Sequence, residues 1–153
     1  MTKSFKFALQ PVLEHRKRIE EERQQELAAA QSALNAAMVE LRDLNQQFRA
    51  TSVSLREAHG SFDGEQLRLH YAHLEFLDRA VSIAQALVSQ RKLEHEEVRL
   101  RLLEAAKEKK ALEKLKGRRK EAHALAQRQY EQNEMDDSNA RRYSRSSSGG
   151  TLL

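Results

Sequence analysis

The sequence predicts an all-α protein, a long two-stranded antiparallel coiled-coil hairpin whose second helix extends beyond the paired region. Two observations carry this. Leu27, Leu34, Leu41, Phe48 and Leu55 recur every seven residues, and after one break Leu67, Leu74, Val81 and Val88 resume the same spacing, which Leu102 rejoins after His95. A seven-residue apolar period draws a narrow stripe along a helix that another helix must cover. One chain with two such stripes and one break can cover itself.

Composition agrees. Of 153 residues, 33% are charged, only 5% are aromatic and one is proline. Such a chain buries a thin seam, not a thick core, and has the make-up of a long helix or coiled coil. High charge with few aromatics also favours disorder, but the sustained heptads oppose it over most of the length. The chain has no cysteine, which excludes disulfides and thiolate metal sites. The first residues hold no apolar run suited to a signal peptide, and no stretch nears the roughly 20 apolar residues that span a bilayer. A soluble cytoplasmic protein is the expectation.

In chain order, residues 1–10 are expected to be irregular. Phe5, Phe7 and Leu9 alternate with polar residues, which alone suggests a short strand. Pro11 suits a first helical turn, where its missing N–H is not needed. The helical hairpin then spans 11–135. Its first helix, rich in Ala, Leu, Glu, Gln and Arg, runs to about Ala58. Ala30, Ala37 and Leu44 supply its second core position, and small alanines there let two helices approach closely. The turn is placed at about 59–64, because the segment from His59 to Gln66 holds two glycines, a serine and an aspartate. With the turn centred near Phe62, Leu41 falls opposite Ile83 or Ala84, and Leu13 opposite Leu112. The second helix starts near Asp63 or Glu65 and runs to about Met135. Its second core position is Leu77, Ala84, Val98, Ala105 and Leu112. Arg91 and His95 interrupt that seam, with snorkelling at a loosened layer as the expected outcome. Gly117 lies inside a basic helical run and could mark a bend. From Asp136 the chain is rich in Ser, Gly and Arg without apolar period, and residues 136–153 are expected to be a disordered tail.

Charge is uneven. Between Lys107 and Arg128 nine Lys or Arg face only Glu108, Glu113 and Glu121, and the residues up to Arg23 are mildly basic. In a hairpin both basic segments share one end, which should attract an acidic surface or polyanion. A docking surface for an acidic protein is favoured over a merely solvated face. Nucleic-acid binding ranks last, since no aromatics interleave and no dimeric basic fork exists.

No catalytic residues are identified. There is no glycine-rich phosphate loop, and the run Glu20, Glu21, Glu22 lies on an exposed face without a pocket to shift its pKa values. His70 and His73 share a helix face but lack the further ligands a zinc site needs. No enzyme activity, metal or cofactor is expected.

The two ends together resemble the FliJ family of flagellar export proteins. Phe5-Lys-Phe7-Ala-Leu9-Gln10-Pro11-Val12-Leu13, with Arg16 after it, is similar to the family's opening F-x-L-Q-x-V/L-L-x-x-R. Leu112 to Arg119 is similar to its L-E-K-L-K-E-R-R stretch, with Gly117 in place of the acidic residue. Tyr130 and Met135-Asp136-Asp137 fit its closing pattern. His73 to Val81 resembles its Y-L-x-x-L-x-x-A-I segment, with His73 in place of tyrosine.

The resemblance implies a non-enzymatic stalk of the flagellar export ATPase ring that also contacts the membrane export-gate protein and escorts export chaperones. It implies a place at the cytoplasmic face of the inner membrane. Phe7, Leu9, Gln10, Leu13, Leu115, Arg118 and Arg119 are then candidates for the ATPase ring. Leu74, Leu77, Ala80 and Ala84 are candidates for the export gate, although Leu74, Leu77 and Ala84 also fall on the seam, where a core role is favoured. No nucleic acid is expected as a partner, and a self-covered hairpin is expected to be monomeric. The alternatives are an injectisome stalk and a generic coiled-coil scaffold.

Overall fold

A computed structural model describes residues 3–58 and 60–149. The chain forms two helices, α1 (Gln10–Glu57, 48 residues) and α2 (Gly64–Ser148, 85 residues), which pack against each other as a hairpin. No strand occurs among the described residues. The chain divides into two compact units, one of Arg18–Ala106 and one of Met1–Lys17 with Lys107–Leu153.

The Arg18–Ala106 unit contains the turn. Gly60 adopts a φ of 98°, in the left-handed region that glycine enters without a Cβ clash. The Ser61 N–H donates to the Ala58 carbonyl at 2.9 Å. Helix α2 is then opened by a capping box: the Gln66 N–H donates to Asp63 Oδ1 at 2.7 Å, and the Asp63 N–H points back to Gln66 Oε1 at 3.4 Å. Of the turn placed at about 59–64, residues 60–63 lie between the helices, Gly64 already opens α2, and His59 lies outside the described residues.

The heptads of this unit fill its seam. Leu34, Ala37 and Val88 form a buried cluster with Leu41 and Leu87 packed on it, and Leu55, Leu77, Ala84 and Ala105 are buried as well. Each large apolar side chain buried this way contributes about 1.5–3 kcal/mol. Arg91 and His95 are half-buried at the seam, as expected of snorkelling side chains. The Arg91 guanidinium leaves the layer to donate to Glu94 at 2.8 Å.

In the other unit, residues 3–7 have no regular structure and residues 8–9 turn into α1. The alternation of Phe5, Phe7 and Leu9 therefore makes no strand. No neighbouring strand exists to pair with, and the alternate aromatics pack on α2 instead. The expectation for residues 1–2 lies outside the described residues. Pro11 occupies the first turn of α1, as its missing N–H requires. Leu13 is only 1% exposed, the most protected side chain of this unit.

Helix α2 differs from expectation in one respect. It does not stop at Met135 but continues to Ser148, so residues 136–148 are helical. Every described residue from Arg128 onward is exposed, so packing does not hold this segment. Local contacts do: Tyr130 O–H donates to Glu134 at 2.8 Å, Gln132 to Asp136 at 3.2 Å, and the hydroxyls of Ser144 and Ser146 to the Arg141 and Tyr143 carbonyls at 2.9 Å. A helix already nucleated adds each further turn cheaply, which a composition-based reading of an isolated tail does not capture. Residues 150–153 of the expected tail lie outside the described residues. Gly117 does not interrupt α2.

Candidate functional site

The unit that holds the N-terminal segment gathers the basic run, and six of its nine cations fall into two groups. The first group is engaged with residues 3–16. Lys116 Nζ donates to Gln10 Oε1 at 2.8 Å, and the Arg119 guanidinium lies 5.7 Å from the centroid of the Phe7 ring. One turn further, His123 meets the Phe5 ring at 5.6 Å, and Arg16 reaches back to pair with Glu108. The second group, Lys107, Lys110, Lys114 and Arg118, recurs at three- and four-residue steps on one exposed face of α2. Glu121 and the 55% exposed Leu125 continue that face.

The sequence-derived ATPase candidates separate along the same line. Phe7 and Leu13 are buried, Leu9, Gln10 and Leu115 are half-buried, and Arg118 and Arg119 are exposed. Phe7 and Leu13 therefore hold the N-terminal segment against α2, and Arg118 is the member of the set that faces outward without a role in that packing.

The Arg18–Ala106 unit carries a second surface. Of the export-gate candidates, Leu77 and Ala84 are buried in the seam, whereas Leu74 and Ala80 are half-buried. Beside them runs a line that the sequence reading did not single out: Leu69, Phe76 and Ile83, which are 67%, 59% and 71% exposed. Phe76, Ala80, Ile83 and Leu87 line an open groove that Glu40 and Leu44 of α1 complete. The signal was present in the sequence, as a second seven-residue spacing set two positions after the Leu67, Leu74, Val81 stripe. An exposed apolar line of this kind marks an interaction surface more often than a chance cluster.

Elsewhere, surface carboxylates are held by neighbouring arginines on the same helix. Arg91, and next Gln90, hold the Glu94 carboxyl below the usual range by hydrogen bonding, and Arg99 does the same for Glu96. Among the described residues no group of three or more His, Cys, Asp or Glu could hold a metal ion, and no helix is long and apolar enough to cross a membrane.

Two long helices packed along a thin seam, with an outward cationic face and an exposed apolar line, define a helical-hairpin protein. The sequence model of one family, the flagellar FliJ protein, matches residues 5–148, and the chain belongs to the FliJ family. It is a component of the flagellar type III export apparatus, from a family that is not catalytic. No curated protein and no solved structure matches it. The matched range begins at the Phe5 that packs on His123 and ends where α2 ends.

Proposed function

We propose that this protein serves as the stalk of the flagellar export ATPase ring, contacting it through the cationic face of α2. The observation that supports this is the division of the basic run. Lys116 and Arg119 are committed to the N-terminal segment, whereas Lys107, Lys110, Lys114 and Arg118 turn to solvent on one face. Clustered cations of one sign speed and orient the approach of an acidic partner. Charge reversal with Lys114→Glu and Arg118→Glu tests the reading. Capture of the cognate ATPase should be lost while helix content and melting temperature stay unchanged, and capture at wild-type level would refute it.

The membrane export gate is assigned to the groove of Phe76, Ala80, Ile83 and Leu87, which Ala84 also lines, in place of Leu74 and Leu77. Burial of Leu77 supports the shift, because a partner could reach it only by opening the seam. Escort of empty export chaperones, and a place at the cytoplasmic face of the inner membrane through these contacts, complete the proposal. One observation favours a scaffold that self-associates: Leu93, Leu100 and Leu103 are exposed on α2 (74%, 51% and 45%). Sedimentation of the isolated protein separates the two, with a monomer expected of the stalk.

A further inference from the structure

Gly117 is a residue that the fold does not require. Its backbone is helical, with none of the positive φ that makes Gly60 necessary. A Cβ placed on it meets nothing within 4 Å, so no internal neighbour demands its absence. Glycine in the interior of an exposed helix is less stable than alanine, through the chain entropy it surrenders on folding. Neither backbone conformation nor packing calls for glycine at this site. The missing side chain leaves a shallow notch, lined by Lys114, Gly117, Arg118 and Glu121. That notch lies on the outward cationic face and not among the cations that hold the N-terminal segment.

We propose that Gly117 is the close-approach point of this face, where the backbone of an acidic segment of a partner protein seats against its bare Cα. Charge complementarity selects that occupant. Lys107, Lys110, Lys114 and Arg118 outnumber Glu121 on this face, so carboxylates on the partner meet Lys114 and Arg118 beside the notch. Glu121, one turn on, offers an acceptor that orients a donor on the same segment. The inference rests on the reading of this face as the ATPase contact and names its contact point.

The test is an affinity series against the cognate flagellar export ATPase, with melting temperature measured in parallel. Gly117→Ala should raise the melting temperature by about 2–4 °C and yet weaken binding by about ten-fold, the usual effect of crowding a packed contact by one methyl group. A more stable protein that binds less well is the signature of a glycine kept for a partner. If Gly117→Ala binds as tightly as the wild type while Lys114→Glu with Arg118→Glu does not bind, the close-approach inference falls and the docking face stands. If the charge-reversed variant also binds normally, the docking face falls with it.

Discussion

The Arg119 guanidinium lies over the ring of Phe7, 5.7 Å from its centroid, and joins the non-helical N-terminal segment to α2. Phe7 is 7% exposed, so the ring is sandwiched and not merely laid on the surface. Phe7→Ala should destabilise the protein by about 3 kcal/mol, the range of aromatic truncation in a packed site. Arg119→Ala should lose only about 0.5–1 kcal/mol, as an exposed cation–π contact does. Urea denaturation of the two variants checks both figures. Equal effects would mean that the arginine carries more of the segment's attachment than geometry indicates.

Leu13 and Leu77 are each 1% exposed, one in each compact unit. Leu13→Ala and Leu77→Ala should each cost about 2–5 kcal/mol. Leu93→Ala, at a 74% exposed position, should stay within about 0.5 kcal/mol of wild type. Chemical denaturation of the three variants reads the contrast directly. A large loss at Leu93 in dilute solution would reveal that its side chain is covered by a second copy.

Acid should weaken the helix pairs slightly. Arg91 and Arg99 hold the Glu94 and Glu96 carboxyls below their ordinary value, so these groups add stability above about pH 4.3. That contribution is lost as the pH falls through the lowered folded-state values. The Arg99 pair is exposed and the Arg91 pair half-exposed, so salt screens both. The melting temperature should therefore dip only modestly below pH 4, and Glu94→Gln with Glu96→Gln should remove that part of the dip at low salt.

The end of α2 should be separable from the rest. Every described residue from Arg128 on is exposed, so deleting the chain after Met135 removes helix without removing packing. Circular dichroism should show less helix signal per molecule at an unchanged melting temperature. A fall of more than about 4 °C would mean that the segment stabilises the hairpin.

A charge on the exposed apolar line should leave the fold intact. Ile83→Asp, at 71% exposure, should melt within about 2 °C of wild type but fail to bind the export-gate protein. Ala84→Asp, in the seam, should instead unfold the helix pair near it. Thermal melts paired with a binding assay distinguish a surface role from a structural one.

Much of the fold was legible because a heptad states which side of a helix is covered. Leu34, Ala37, Leu55, Leu77, Ala84 and Val88 were all seam positions by spacing, and all are buried. The glycines, Ser61 and Asp63 marked the turn before α2, whereas the cap between Asp63 and Gln66 emerged only from the structure. Phe5 and Phe7 alternate as a strand would, but the segment was expected to be irregular and residues 3–7 have no regular structure, because alternation describes two-sidedness and not the presence of a partner strand. The apolar line of Leu69, Phe76 and Ile83 was hidden by its own regularity. It runs parallel to the seam, two positions away, and only the placement of α1 decides which line is covered. The split of the basic run was unreadable for a similar reason. Whether a lysine is engaged or outward depends on residues some hundred positions away, as the bond between Gln10 and Lys116 shows.

The most direct test of the stalk reading is the ATP hydrolysis rate and oligomeric state of the cognate flagellar export ATPase, measured with and without this protein. Stimulated hydrolysis together with ring formation, both abolished by Lys114→Glu with Arg118→Glu, is the expected result. An ATPase whose rate and assembly are indifferent to the wild-type protein would contradict it.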